Sequence, residues 1–157
     1  MDISIMMGSG KFNFRVAGIF LHNNKIFVMN DERGSYDYLP GGRVKLNESV
    51  EEAIKREIKE ELDFIPEIER PLWFNQSFFT EQMNKVDYHE LCIYFLLKTP
   101  QNLINRGESF TVIEEPHVFN YRWVNIDNLK DMAFFPLFLK EEIYNLPEHL
   151  KMLTEYQ

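Results

Sequence analysis

The sequence has little of what defines several classes of protein. Its 157 residues contain one cysteine, Cys92, which excludes an internal disulfide and any metal site built from cysteines. No stretch approaches the roughly 18 uninterrupted apolar residues of a membrane-spanning helix, and residues 1–10 lack the pattern of a signal peptide. Basic residues are outnumbered, 17 to 25 acidic, and a net charge of −8 opposes binding to a nucleic acid duplex. We therefore expect a cytoplasmic protein that binds neither a membrane nor a duplex.

Apolar and aromatic residues, in contrast, are plentiful. Hydrophobic residues make up 45% of the chain and include 14 Phe, which is enough to bury a core in one domain over residues 1–157. Residues 1–10 are expected to be a loose leader or an edge strand. If so acidic a protein handles phosphates, it needs an added source of positive charge, and a bound divalent cation is the natural one.

Local patterns predict an alternation of strands and helices. The predicted strands are 12–21, 25–29, 36–39, 71–80, 86–98 and 121–125, of which 86–98 is the longest. Pro40-Gly41-Gly42 is predicted to break the chain after the third strand. Residues 99–110 are predicted to be a polar loop and residues 111–119 to be irregular.

Three helices are predicted among these strands. Ser49 and Glu52 form a capping box that begins a helix running to about Leu62. A short helix is expected from Asp127 and an amphipathic one over 136–144. The order of elements predicts a mixed α/β fold with helices packed on a sheet.

The first helix carries carboxylates where a core face is expected. Its apolar stripe consists of Val50, Ile54, Ile58 and Leu62. Glu61 falls inside this stripe, Glu57 beside it and Glu60 at its border. The opposite, solvent-facing side is predicted to hold Glu52, Lys55, Arg56 and Lys59. Neighbouring buried carboxylates cost several kcal/mol each without a counter-charge, so this cluster indicates either an Mg²⁺ or Mn²⁺ site or a solvated acidic stripe paired with lysines.

The residues around this cluster form a longer motif. From Gly42, five residues lead to Glu48, and seven more lead to the hexapeptide Arg-Glu-Ile-Lys-Glu-Glu at 56–61. This spacing resembles the Nudix box, in which Gly, five residues, Glu and seven residues precede Arg-Glu-aliphatic-any-Glu-Glu-any-Gly-aliphatic. The preceding Leu39 to Gly42 is similar to the lead-in of that family.

The motif departs from the family pattern at its end. Asp63 stands where the family has Gly, and Phe64 replaces a smaller aliphatic residue. The residue after a helix often takes the left-handed conformation, which Gly adopts freely and Asp tolerates better than most residues. We expect the helix to end at Asp63 with only a mild loss of stability.

The resemblance implies a Nudix-like α/β/α sandwich, in which a mixed β-sheet carries the catalytic helix. It implies hydrolysis of the diphosphate linkage between a nucleoside diphosphate and another moiety X, with water attacking phosphorus. Carried over by position, Glu57, Glu60 and Glu61 are catalytic residues and the ligands of Mg²⁺ or Mn²⁺. Such an ion polarises phosphoryl oxygens and lowers the pKa of the attacking water.

Other positions of the motif acquire supporting roles by the same resemblance. Arg56 would orient the catalytic helix through an ion pair, with Glu48 as its candidate partner. Gly41 and Gly42 would let the backbone approach the metal and the phosphates closely, which counts them among the substrate-binding residues.

The general base is open among three glutamates. Many relatives use a Glu in a loop before a late strand, and Glu115, with its neighbour Glu114, lies before the strand 121–125. We take Glu115 as the first candidate. Glu90, on the long strand 86–98, is a further candidate, whereas His89 is expected on the opposite face.

Substrate choice is expected to depend on residues outside the motif. Phe79 and Tyr88 are the expected substrate-binding aromatics, from a set that also includes Trp73, Phe74 and Phe78. These side chains form either a platform for a base or part of the core. The alternative function is a non-catalytic nucleotide-sensing module on the same fold. A small-molecule nucleotide is the implied partner, and a homodimer is a candidate assembly.

Overall fold

Ten strands and one long helix make up most of the fold, in a computed structural model that describes all 157 residues. The strands are β1 (Ser4–Met7), β2 (Gly10–Ile19), β3 (Leu21–His22), β4 (Lys25–Asp31), β5 (Gly41–Arg43), β6 (Ile68–Thr80), β7 (Asp87–Leu97), β8 (Ser109–Glu114), β9 (His117–Asn125) and β10 (Lys151–Tyr156). The helices are α1 (Val50–Leu62), the short α2 (Gln101–Ile104) and α3 (Leu139–Glu142), and a 3₁₀ helix at Ile126–Asp131.

The strands form two sheets. The larger has the order β1-β2-β7-β6-β10, and β5 pairs with β2 farther along the same strand. It is mixed, because β2–β7 and β6–β10 are parallel while its other pairs are antiparallel. The smaller, antiparallel sheet has the order β3-β4-β9-β8. No helix is long and apolar enough to cross a membrane.

Two apolar clusters hold these layers together. In one, the buried face of α1, with Ala53, Ile54 and Ile58, packs against side chains of both sheets such as Val16 and Phe27. The other fills the space between the opposite side of the larger sheet and the segment that follows β9. The mixed α/β fold with the long helix packed on the sheet is therefore confirmed.

Both predicted ends of α1 are confirmed. Ser49 Oγ accepts a hydrogen bond from the backbone of Glu52 at 3.1 Å, and Glu52 Oε2 accepts one from the backbone of Ser49 at 2.8 Å. Asp63 ends the helix with φ 62° and ψ 31°, in the left-handed region. Its side chain accepts a hydrogen bond from Lys59 Nζ at 2.6 Å.

The segment before α1 differs from its prediction. Residues 36–39 form only isolated bridges, through Asp37 and Tyr38. The predicted break at Gly41 is instead the start of β5, which pairs with β2. A Cβ at Gly41 would overlap the backbone of Val16, so the absence of a side chain is what allows this close pairing.

Several predictions in the second half of the chain were wrong. β6, not β7, is the longest strand, because bulges accommodate Pro71 near its beginning. The segment expected to be irregular holds β8, which pairs with β9. Inside the predicted polar loop lies α2, and the helix over 136–144 is reduced to α3. β10 was not predicted, whereas the first ten residues do include an edge strand, β1.

Candidate active site

Glu61 is the carboxylate of α1 that has a buried oxygen without a hydrogen bond. It is half-buried, and its Oε2 atom is buried without any hydrogen bond. Burial and the neighbouring charge of Glu57 raise the pKa of Glu61 well above its usual value, although a hydrogen bond from the backbone N–H of Gly41 lowers it in part. The helix-wheel prediction that Glu61 falls on the buried side of α1 is thus confirmed, and one of its oxygens has no protein partner.

Glu57 lies against the backbone of β5. A Cβ at Gly42 would overlap the carboxylate of Glu57, so only glycine leaves room for this side chain. Glu57 Oε1 accepts a hydrogen bond from Arg56 Nη1 at 2.7 Å. The two glycines therefore contact carboxylates of α1 directly: Gly42 leaves space for Glu57, and Gly41 donates to Glu61.

Arg56 joins α1 to the chain that precedes it. Its Nε and Nη2 donate to the two carboxylate oxygens of Glu48, at 2.6 and 3.0 Å, and Nη2 also donates to the carbonyl of Arg43 at 2.9 Å. This bidentate pair raises the pKa of Arg56 and lowers that of Glu48. The predicted partner is correct. The solvent-facing position was wrong, because the long side chain folds back onto β5 and is half-buried.

Glu60 is the most open of the three acidic residues. Its side chain is 56% exposed, and its carboxylate lies 3.4 Å from Arg56 Nη1. No three acidic, histidine or cysteine side chains are already gathered in a geometry that could hold a metal. The residues nevertheless fit a divalent cation, since they offer hard carboxylate oxygens from adjacent turns of α1 and the buried Glu61 oxygen has no partner.

The candidate bases lie in different surroundings. Glu114 ends β8 on the same face as Phe110 and Val112, and it is one of the charges that raise the pKa of Glu61. Glu115 is exposed in the turn that follows β8. Glu90 is half-buried on β7 and accepts a hydrogen bond from Asn13 at 3.3 Å. Glu114 is thus the candidate whose negative charge contributes to the raised pKa of Glu61, and its side chain is exposed like that of Glu115.

Phe79 and Tyr88 lie away from the carboxylates. Their rings are stacked, with centroids 5.1 Å apart, and they line a cavity of about 510 Å³. Tyr88 is opposite Lys11, six residues along β2 from Ala17, the partner of Gly41. At roughly 3.3 Å per residue this is about 20 Å. The aromatic pair is therefore not adjacent to the carboxylates, but it lies on the same sheet as β5, which Glu57 contacts.

The structure also locates two other side chains considered from the sequence, Trp73 and His89. Trp73 is fully buried and belongs to the core, with no hydrogen-bond partner for its Nε1. His89 lies on the face of Phe12 and Phe78, opposite to that of Glu90, as predicted.

Sequence reasoning missed two residues near the cluster. Arg15 is half-buried on β2, and Glu61 and Glu90 are among the charges that act on it. The pKa of Tyr38 is raised to about 12, by burial first and then by Glu61. Arg15 could have been found from the sequence, because it is the one charged residue in the otherwise apolar segment 14–20. No neighbouring residues indicate that Tyr38 lies near the carboxylates.

Comparison with known proteins shows which family the chain belongs to. The family model described as the NUDIX domain matches residues 13–143. An 8-oxo-dGTP diphosphatase of Buchnera aphidicola subsp. Schizaphis graminum is 29% identical over 79% of this chain and 85% of its own length. An ADP-ribose pyrophosphatase of Methanocaldococcus jannaschii is 30% identical over 76% of this chain, and the match spans 65% of that protein.

Solved structures show the same fold. A UDP-X diphosphatase has a TM-score of 0.60 at 19% identity, over 95% of this chain and 69% of that one. A MutT protein from Bacillus halodurans has a TM-score of 0.64 at 14% identity, over 92% of this chain and 89% of that one. The chain belongs to the Nudix hydrolase family and is a pyrophosphohydrolase acting on diphosphate bonds.

Proposed function

We propose that this protein hydrolyses the diphosphate linkage of a nucleoside diphosphate joined to another group, with Mg²⁺ or Mn²⁺ bound by Glu57, Glu60 and Glu61. The observation that carries the proposal is the buried Glu61 oxygen without a partner, on a helix that holds two further carboxylates. The bound ion would neutralise charge on the phosphoryl oxygens and lower the pKa of the attacking water.

The protein's own groups position this chemistry. The backbone N–H of Gly41 orients Glu61, and the pair of Arg56 with Glu48 fixes α1 against β5. A glutamate accepts a proton from the attacking water while the water oxygen forms a bond to one phosphorus. The bond from that phosphorus to the bridging oxygen breaks, and the bridging oxygen leaves on the other phosphate. We assign this role to Glu114, because its charge acts on Glu61, with Glu115 and Glu90 as the alternatives to be tested.

The substrate class follows from what two relatives are named for. One acts on 8-oxo-dGTP and the other on ADP-ribose, and both compounds contain a nucleoside diphosphate. We therefore propose that the substrate is a small nucleotide of this class.

A panel of nucleotides incubated with Mg²⁺ tests the proposal, with products separated by chromatography. It should contain ADP-ribose, nucleoside triphosphates, dinucleoside polyphosphates, NADH and nucleotide sugars. We expect cleavage of at least one compound by the wild type and loss of that cleavage in Glu61→Gln. Binding without cleavage of any compound would instead support the nucleotide-sensing module.

Location and assembly complete the proposal. A cytoplasmic location is supported by the single, buried and free Cys92, and cell fractionation tests it. A homodimer is supported by the exposed apolar residues Ile5, Met6 and Met7 on the edge strand β1. Light scattering on the purified protein should then give twice the monomer mass of 18.8 kDa.

A further inference from the structure

Arg15 is a half-buried cation on β2 without a close partner. No hydrogen bond from its guanidinium to a protein group and no carboxylate within salt-bridge distance is found, although other arginines, such as Arg56 and Arg122, are paired. Glu90 and Glu61 are among the negative charges that raise the pKa of Arg15. A guanidinium has five donors, so Arg15 has unused hydrogen-bonding capacity. It lies two residues along β2 from Ala17, the partner of Gly41, whose N–H donates to Glu61.

The register of the sheet explains why Arg15 lies there. Arg15 pairs with Arg43 of β5, two residues along from the pair of Ala17 and Gly41. Directly opposed residues of an antiparallel pair are on the same face, and like charges there are destabilising unless an anion is close. Arg43 is itself weakly paired, because its nearest carboxylate is Asp2 at 3.8 Å and its Nε is buried without a partner. The repulsion between Arg15 and Arg43 therefore remains.

Glu90 does not neutralise Arg15 either. It lies on the neighbouring strand β7, where Cys92 is the direct partner of Arg15 and Glu90 is two residues away on the same face. Its carboxylate is already held by Asn13, whose Oδ1 accepts a hydrogen bond from Ser4 at 2.6 Å. Once a metal ion binds Glu61, Glu90 is the main carboxylate whose charge still acts on Arg15, and Glu90 forms no salt bridge with it.

We propose that Arg15 is a substrate-binding residue that contacts a phosphoryl oxygen of the substrate's diphosphate group. This inference rests on the proposed function. The face on which Arg15 lies runs from Gly41 past Glu90 to the stacked pair Phe79–Tyr88. Arg15 holds the anionic part of the substrate near the Gly41 end of this face, where the backbone N–H of Gly41 donates to Glu61. The planar guanidinium suits bidentate contact with a phosphate.

Binding of inorganic pyrophosphate in the presence of Mg²⁺, measured by calorimetry, tests this inference apart from turnover. The variants are Arg15→Gln, Arg15→Lys and the matched control Arg70→Gln, whose arginine pairs with Glu69 and the carbonyl of Pro147. We expect Arg15→Gln to weaken binding about 10- to 100-fold, Arg15→Lys to recover part of the loss, and Arg70→Gln to match the wild type.

Kinetics with the best nucleotide of the panel gives a second readout. Arg15→Gln should raise KM by a similar factor with a smaller change in kcat, and with the Tm of the metal-free protein nearly unchanged. Equal pyrophosphate affinity in the wild type and Arg15→Gln would overturn the inference. If no nucleotide is cleaved, the proposed function fails, while the pyrophosphate measurement still decides the role of Arg15.

Discussion

At the scale of single residues, the fold places one acidic side chain in conflict with its surroundings. Glu61 lies among apolar residues of α1 and next to Glu57, so its charged form is disfavoured in the metal-free protein. Residues kept in such positions often serve function at the expense of stability. Substitutions that keep the shape and remove the charge therefore separate the two contributions.

Glu61→Gln is expected to reduce turnover by about 10² to 10³ while the protein remains folded, because one positioned charge at the reacting phosphate is lost. Steady-state kinetics with the best nucleotide of the panel measures this. Glu51→Gln is the matched control, since Glu51 is exposed in the first turn of α1. Glu52 is unsuitable as a control because it is part of the capping box. Full activity of Glu61→Gln would show that the carboxylate cluster is not catalytic.

Glu48→Gln is expected to destabilise the protein by about 2 kcal/mol near neutral pH, because the bidentate pair with the half-buried Arg56 is lost. Arg56 holds the pKa of Glu48 below its usual value of 4.5, so the stabilisation is present above that value and is lost as the pH falls through the lowered pKa. Urea unfolding near pH 7 and near pH 3, with EDTA, measures the difference between variant and wild type. A difference that is equal at both values would contradict the ionic origin.

At the scale of secondary structure, the features that depend on neighbouring residues were predicted correctly, and those that depend on distant strands were not. Both ends of α1 were predicted, because the cap at Ser49 and the left-handed Asp63 depend on neighbours in the chain. β5 was missed, because the strand at Gly41 exists only through pairing with the distant β2. β10 was missed for the same reason, since its partner is β6, and Pro71 wrongly shortened β6, whose bulges only the sheet reveals.

In the candidate site, too, local arrangements were predicted and those that depend on strand pairing were missed. The carboxylates of α1 were predicted because they are three and four residues apart in one helix. The pair of Arg56 with Glu48 was predicted from the motif, and the structure shows it. Arg15 was missed because its relation to Arg43, Glu61 and Glu90 depends on the register of three elements, which the sequence does not display.

The C-terminus of α1 gives a prediction at this scale. Asp63→Gly should raise Tm by about 1 to 3 °C, because glycine adopts the left-handed conformation without strain. The gain is reduced by loss of the exposed pair with Lys59, which contributes little. Thermal unfolding measures both effects when two further variants are included. Asp63→Asn isolates the charge, and Asp63→Ala should lower Tm, because it keeps the strain. An Asp63→Gly protein that melts well below the wild type would mean that Asp63 makes a stronger contact than this pair.

At the scale of the whole molecule, the charge balance determines what the protein must recruit. The chain carries a net charge of −8, and its carboxylate cluster adds local repulsion to that overall excess. Its substrates are also anionic. Because the arginines near the cluster cannot balance both, stability and substrate binding are expected to share a dependence on divalent cations.

Mg²⁺ or Mn²⁺ is therefore expected to stabilise the fold. A ligand present at about 100 times its dissociation constant adds roughly 2.7 kcal/mol, which for a domain of this size raises Tm by roughly 5 to 10 °C. Thermal unfolding of the wild type with EDTA and with millimolar metal measures the shift. In Glu61→Gln most of the shift should disappear, and the metal-free Tm should rise slightly because the repulsion by Glu57 is gone. Glu51→Gln should keep the full shift, since its side chain is exposed in the first turn of α1. Identical melting curves of the wild type with and without metal would mean that no divalent cation binds at this helix.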